Sequence, residues 1–293
     1  MNLLVYILVY PLIWFISKLP FRVLYTISDF FYFLIFYVIG YRKKVVLENL
    51  KLAFPEKSME ELFKIRKKFY SHFVDIFCEM IKSFTISQKE LAKHCVYPNI
   101  DLLNDLYKDG KSIVLIGSHY GNWEWLFGLS GEIKYKSYTA FTRVSNHYFN
   151  NKILKSRGRF GFGLEQTAKI ISRIDYNVKN NIQSMFGLLS DQSPQLKKAF
   201  YWNEFLGVRV PIHTGAEMLA KKYDMSLVYI ETTKVKRGYY ESNFTVLTKN
   251  PNEHPDYELT DIFLEKVEQQ IRKQPEYYFW THKRFKHSDK EPK

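Results

Sequence analysis

A chain of 293 residues that is 46% hydrophobic buries a substantial core, which excludes global disorder. Its two cysteines, Cys78 and Cys95, have no CxxC spacing, so a disulfide scaffold is excluded and both read as buried apolar residues in a reducing compartment. A net charge of +13 asks for an anionic partner. No helix-turn-helix, zinc-finger spacing or RNP-type motif is visible, so that partner is an anionic lipid or a phosphorylated substrate rather than nucleic acid.

Two apolar runs open the chain, "LLVYILVYPLIWFI" (3–16) and "VLYTISDFFYFLIFYVIG" (23–40), each short of the roughly 20 residues of a spanning helix. Positive charge follows the first run, at Lys18 and Arg22, instead of preceding it, so a cleaved signal peptide does not fit and residues 1–41 read as retained membrane-anchoring helices. Two arrangements fit: a tilted or bent span, and a helix pair lying in one leaflet with Lys18 and Arg22 at the headgroups. The same pattern also fits a buried helical hairpin. Dense Trp, Tyr and Phe suit an interface, though biased coding also enriches Tyr and Phe. Arg42, Lys43 and Lys44 mark the cytoplasmic side.

Residues 42–95 form a helical lead-in. Leu47, Leu50, Ala53 and Phe54 keep a helical period that Pro55 stops, and Ser58 with Glu61 and Ser87 with Glu90 are capping boxes. From residue 109 the texture changes. The turn Asp109-Gly110 leads into "SIVLIG", a strand buried on both faces; "MFGLL" (185–189) and "LVYIE" (227–231) are similar, and "NFTVLT" (243–248) makes a further strand. Helices at 213–222 and from Thr260 or Asp261 to Lys273 alternate with these strands. The pattern predicts an α/β core over 109–287, a mixed sheet flanked by helices, within an enzymatic domain of 42–287. Residues 288–293 read as a disordered tail.

In such sheets ligands gather beyond the carboxyl ends of the strands. His119 lies just past one, in "GSHYGNWEW". An imidazole there serves as a general base, and a carboxylate on its other ring nitrogen fixes the tautomer. Gly121 permits a turn, Asn122 caps a helix behind it, and the turn can return Glu124 to His119. The spacing alone also fits a helix cap beside a surface histidine. No GxSxG elbow is present, since Glu132 stands where the second glycine would be, and HExxH is absent, so neither a serine nucleophile nor zinc is indicated. The pair therefore suits direct attack of a substrate hydroxyl on an activated carbonyl. Tyr120, Trp123 and Trp125 fit an acyl groove or core packing. His72, His94, His147, His213 and His254 belong to no constellation, and Gly158, Gly161 and Gly163 read as a loop.

"GSHYGNWEW" resembles the H-x4-D/E motif of the bacterial lipid A late acyltransferases, within the lysophospholipid acyltransferase superfamily. Further blocks are similar in the same order: "LENLKLAFPE" (47–56), "FTRVSNHYFNNKILKSRGRFG" (141–161), "LLSDQSP" (188–194), "FLGVRVPIHTGAEMLA" (205–220) and "PEYYFWTHKRFK" (275–286). Together they cover nearly the whole chain.

The resemblance implies a membrane-bound O-acyltransferase on the cytoplasmic face of the bacterial inner membrane. It would move a fatty acyl chain from acyl carrier protein, or from acyl-CoA, to a hydroxyl of a lipid A precursor with an anionic or phosphorylated headgroup, without a further cofactor. His119 would be the base and Glu124 its partner. Arg143 matches the second-block arginine that would contact phosphate, with Arg157 and Arg159 as further candidates. Asp191 matches the third block, where it would hold backbone amides or the active-site loop. His282 and Arg284 would meet substrate, sharing one face if their segment is extended. Phe205-Leu206-Gly207 departs from a frequent Phe-Phe-Gly, so acyl length is not fixed by the resemblance. An O-acyltransferase of another membrane lipid (a lysophospholipid, or one with an amino-acid headgroup), a thioester hydrolase and a non-enzymatic anionic-lipid-binding protein are the alternatives.

Overall fold

The computed structural model describes residues 2–291. Asn2–Lys18 (α1) and Phe21–Phe33 (α2) meet at Leu19-Pro20, and α2 runs on through a π-helical turn, Leu34–Ile39, to Gly40. The continuous helix Phe21–Ile39 is 19 residues long and apolar enough to cross a membrane by length and composition. The pair is not a buried hairpin. On α1 a stripe of Leu4, Leu8, Leu12 and Phe15 faces outward, each about 60% exposed (59–68%), and Phe30, Phe33, Val38 and Ile39 are exposed as well. The opposite face of α1 packs on the body of the protein through Tyr6, against Tyr148 and Phe149, and Tyr10, against Phe84.

Lys43–Ala53 (α3) ends before Pro55, and Met59–Lys82 (α4) opens on a complete capping box. There Ser58 Oγ accepts from the Glu61 amide at 3.3 Å and the Glu61 carboxylate accepts from the Ser58 amide at 2.8 Å. Gln88–His94 (α5) has half of one: Ser87 Oγ accepts from the Glu90 amide, but the Glu90 side chain is taken by Lys93. Cys95–Val96 (β1), Asp101–Lys108 (α6) and Ile113–Gly117 (β2) follow. Cys78 and Cys95 are free and buried.

After a 3₁₀ helix, Trp123–Gly131, come Lys136–Phe141 (β3), His147–Gly158 (α7), Gly163–Gln166 (β4), Ile170–Lys179 (α8) and Ser184–Leu189 (β5). Strands β3 and β4 were not expected from sequence. Gly163 is part of β4 rather than a loop because the Tyr138 ring lies where its Cβ would be, so only glycine lets the two strands pair. The hairpin Trp202–Phe205 (β6) and Val208–Pro211 (β7) precedes Gly215–Lys222 (α9), Ser226–Lys236 (β8), Tyr239–Thr248 (β9) and Glu258–Lys273 (α10).

The main sheet has the order β1-β9-β8-β2-β5-β3-β4. Strands β8, β2, β5, β3 and β4 run parallel and β9 is antiparallel to β8, giving the expected mixed α/β sheet. Alternate residues supply two cores. Val114, Ile116, Phe186, Leu227 and Tyr229 pack with residues of α4, α9 and α10, while Ile113, Leu115, Met185, Val228 and Ile230 pack with Leu103 and Leu106 of α6. After β2 the chain moves toward β3 and β4, whereas after β5 it moves to β8 on the other side. The crevice between the ends of β2 and β5 is thus the topological switch point, where ligands bind in open α/β sheets.

Helix α10 starts at Glu258, ahead of the expected Thr260 or Asp261. Its cap comes from another helix. The buried Glu217 carboxylate of α9 accepts from the amides of Tyr257 at 2.7 Å and Thr260 at 2.8 Å and from Thr260 Oγ1 at 2.6 Å. Residues 288–293 include Glu291, which ion-pairs with Arg209 at 2.6 Å; residues 292–293 lie outside the described residues. Glu217→Ala leaves two backbone donors and a hydroxyl without their acceptor. We expect it to cost about 2–4 kcal/mol, read as a lower denaturation midpoint in detergent-solubilised protein.

Candidate active site

The site follows from one register. Gly117 of β2 pairs with Leu189 of β5, and the Ser190 amide extends the ladder by donating to the Gly117 carbonyl at 3.1 Å. Two residues beyond each strand end stand His119 and Asp191, brought side by side by that pairing. His119 Nδ1 donates to Asp191 Oδ1 at 2.7 Å, and the His119 amide donates to the same oxygen at 3.1 Å. A carboxylate oxygen only accepts, so Nδ1 carries the proton and Nε2 is left with its lone pair. The Asp191 side chain is 1% exposed and that of His119 20%. Burial alone would raise the Asp191 carboxyl; the His119 ring and the two hydrogen bonds from His119 outweigh it and hold it below the usual carboxylate range.

The ring partner expected from spacing was Glu124. The structure gives that position to Asp191. Asn122 Oδ1 accepts from the Trp125 amide at 3.1 Å and starts the 3₁₀ helix that carries Glu124, whose carboxylate meets Arg157 of α7. Arg157 Nη2 donates to Glu124 Oε1 at 2.6 Å and Oε2 at 2.8 Å, and Nε to Oε2 at 3.1 Å. A turn with Gly121 at φ 61 does bring Glu124 back to the same cavity as His119, but as the acceptor of a guanidinium.

That cavity is about 580 Å³ and opens at the ends of β2, β3 and β5. His119, Trp123, Glu124, Arg157 and His213 give it a polar wall; Leu115, Leu126, Phe127, Phe162 and Ile230 give it an apolar one. Of the three aromatics near the histidine, Trp123 lines the cavity, while Tyr120 and Trp125 are buried in the core. An adjoining cavity of about 650 Å³ shares Phe141 with the first and is lined by Arg143, His147, Asn150 and Lys169 among others. Arg143 Nη2 donates to the Gln166 side-chain oxygen at 2.7 Å.

The other arginines and His282 fall elsewhere. Arg159 donates to the carbonyls of Ser83 and Ile86 and ties the end of α4 to the end of α7. Arg284 is 1% exposed and bonds Pro211 O at 3.2 Å and Ser193 Oγ at 3.4 Å. The stretch from Trp280 to Asp289 is a run of turns, not an extended segment, so its basic residues do not share one face. His282 is half-buried, and burial takes its pKa down to about 4. Neither His282 nor Arg284 is among the residues lining the two cavities.

Instead the closing segment packs behind the loop that carries His119. Phe279 N donates to His119 O at 3.1 Å, and the Phe279 ring lies 6.1 Å from the His119 ring. Asn49 Nδ2 donates to the carbonyls of Trp280 at 2.8 Å and His282 at 2.7 Å. His213, read from sequence as belonging to no constellation, is a cavity residue; it follows β7, within the block 205–220.

Sheet, switch point and oriented histidine define an α/β protein with an Asp-held imidazole at the wall of a partly apolar cavity. Over residues 2–287 the chain matches the family model described as bacterial lipid A biosynthesis acyltransferase, and it belongs to that family of acyltransferases. It is 21% identical over 259 residues to the Lipid A biosynthesis palmitoleoyltransferase of Escherichia coli (strain K12), spanning 84% of this chain and 79% of the relative. The same identity and coverage hold for a Lipid A biosynthesis acyltransferase of Shigella flexneri.

If Asp191 fixes the tautomer, Asp191→Asn leaves the bulk of the site intact and presents the wrong ring nitrogen. The expected loss in kcat/KM is about 10³–10⁴-fold, measured by steady-state acyl transfer on protein whose thermal midpoint shows it folded. Wild-type activity in Asp191→Asn would return the orienting role to another carboxylate.

Proposed function

We propose that the protein transfers a fatty acyl chain from a carrier thioester to a hydroxyl of a lipid A precursor, with His119 as the general base. The observation that carries this reading is the Asp191-held imidazole at the wall of a cavity with a partly apolar lining, in a chain of the lipid A acyltransferase family. His119 Nε2 takes the hydroxyl proton as the oxygen attacks the thioester carbonyl. The tetrahedral adduct collapses to an ester, and the imidazolium returns the proton to the departing thiolate. No acyl-enzyme forms and no cofactor beyond the thioester co-substrate takes part.

Arg157 has Nε and Nη2 committed to Glu124; Nη1, with no hydrogen-bonding partner among the described residues, is the donor we assign to the developing oxyanion. In this reading Glu124 works through Arg157, whose guanidinium it orients. The apolar wall of Leu126, Phe127 and Phe162 takes the acyl chain, and the adjoining cavity with Arg143 and Lys169 takes a phosphorylated headgroup.

The outward stripe of α1 and the exposed face of Phe21–Ile39 suit an interface of lipid, with α1 lying along the membrane because its other face is packed on protein. Arg42, Lys43 and Lys44 beside this anchor support a site on the cytoplasmic face of the inner membrane. There an acidic acyl carrier protein meets a basic chain.

The test is mass spectrometry of purified enzyme with acyl carrier protein or CoA thioesters and lipid A precursors, paired with the lipids of a deletion strain. We expect a precursor heavier by one acyl group, and its loss in His119→Ala. Free fatty acid without acylated lipid would make the protein a hydrolase. Acylation of a different membrane lipid would move the acceptor, and lipid binding without any product would leave it non-enzymatic.

A further inference from the structure

Helix α4 carries a buried carboxylate that the reaction does not use. Glu79 is fully buried. Its Oε1 accepts from Tyr25 Oη of α2 at 2.8 Å. Its Oε2 accepts from Asn122 Nδ2 at 2.6 Å and from Tyr240 Oη of β9 at 2.8 Å. The Glu79 backbone carbonyl also accepts from Trp125 Nε1 at 3.2 Å. One side chain thus joins the anchor helix, the sheet and the loop between His119 and Glu124.

Three donors converge on this group. A carboxylate accepts all of them, whereas an amide has a single acceptor oxygen and turns its NH₂ against a donor. The Asn122 amide is the joint. Its nitrogen is held by Glu79 while its oxygen caps the Trp125 amide, so the position of Glu79 sets where the 3₁₀ helix begins. That helix presents Glu124 and, through it, Arg157.

The anchor has a second polar attachment that ends elsewhere. Ser28 Oγ donates to Asp75 Oδ1 at 2.7 Å, and Arg237 of the β8–β9 turn bridges Asp75 and Asp29, with Nη2 at 2.6 Å from each. This cluster fastens α2 to α4 and to the hairpin without touching the catalytic loop. The two attachments meet at Tyr25, whose backbone carbonyl accepts from Arg237 Nη2 at 3.4 Å, but of the two hydroxyls only that of Tyr25 reaches Glu79.

We propose that Glu79 is a positioning residue that couples the seating of anchor helix α2 to the geometry of the catalytic loop, so that the site is fully formed only when Tyr25 is docked. A displaced α2 removes one of three donors from a fully buried carboxylate, and the remaining partners, Asn122 among them, shift to compensate. The inference rests on the acyl-transfer reading for its kinetic consequence, but its structural part stands apart from it.

The experiment uses the full chain in lipid nanodiscs, with Tyr25→Phe, Glu79→Gln and Ser28→Ala. Tyr25→Phe and Ser28→Ala each delete one buried hydroxyl from the same α2–α4 interface; only Tyr25 reaches Glu79. We expect Tyr25→Phe to lower kcat about tenfold and Glu79→Gln about 10–100-fold, with KM within about twofold, while Ser28→Ala leaves kcat within about twofold. Amide hydrogen exchange over residues 119–126 should quicken in Tyr25→Phe and Glu79→Gln and stay unchanged in Ser28→Ala.

Equal effects of Tyr25→Phe and Ser28→Ala on exchange overturn the proposal, because they reduce Glu79 to part of the general packing. So does unaltered kcat in Glu79→Gln. If Glu79→Gln does not fold, the Tyr25 and Ser28 pair decides alone. If the wild type transfers no acyl chain, the exchange comparison still tests the coupling, so failure of the enzymatic reading is separate from failure of this one.

Discussion

The parallel pairing of β2 with β5 is the constraint on which the site depends. Its register sets Gly117 opposite Leu189, and the next residues continue in step, so a base from one loop and a carboxylate from another meet although 72 residues separate them. Slipping the register by one residue would turn every side chain of β5 to the opposite face. The hydrophobic pattern resists that. Met185 and Phe186 are both fully buried, on opposite sides, each committed to a different core. The packing of the sheet therefore enforces the geometry of the His119–Asp191 pair.

Around this pair the chain spends its buried polar groups on joints between distant segments. Asn49 of the helical lead-in holds two carbonyls of the closing segment, and Phe54 packs against Trp280 at 6.0 Å. The closing segment in turn donates from Phe279 to the His119 carbonyl and pairs Tyr278 with Tyr120. A buried donor or acceptor left unpaired costs more than the bond contributes when made, so each joint fixes its segments to one arrangement. Sequence blocks at 47–56, 117–125 and 275–286 thus have a common physical reason. They form one packed unit that backs the catalytic loop.

What was legible in the sequence follows from the range of the interactions involved. Strands β2, β5, β8 and β9 showed as buried apolar runs, and the Ser58–Glu61 cap showed because its partners lie three residues apart. Strands β3 and β4 did not, since "KSYTAF" is half-polar and the pairing of β4 depends on a tyrosine ring lying over Gly163, a contact no local pattern reports. The start of α10 was misplaced for the same reason: its capping carboxylate, Glu217, lies on another helix. His119 was found because it follows a recognisable strand. Asp191 follows one as well, at the same offset from the strand end, and counting that offset on both strands would have joined them. Glu124 was nearer in sequence and drew the pairing instead. Proximity along the chain put it in the cavity, but the turn that brought it there aimed it at Arg157.

The exchange of partners changes the electrostatics of the site. With Glu124 on the imidazole, Arg157 would stand as an uncompensated cation in the cavity, and Asp191 as an anion with 1% exposure. In the observed arrangement each carboxylate has its own partner: Asp191 accepts from the imidazole and Glu124 pairs with the guanidinium. In the proposed reaction the imidazole takes up a proton beside a carboxylate that stabilises the resulting imidazolium. In the same proposal the guanidinium, already neutralised on one edge, offers its other edge to negative charge only as it develops. Donors fixed in advance outside bulk water favour the charged adduct over the neutral thioester. Two carboxylates, one behind each cation, thereby divide the proposed work: one governs the proton, the other the oxyanion.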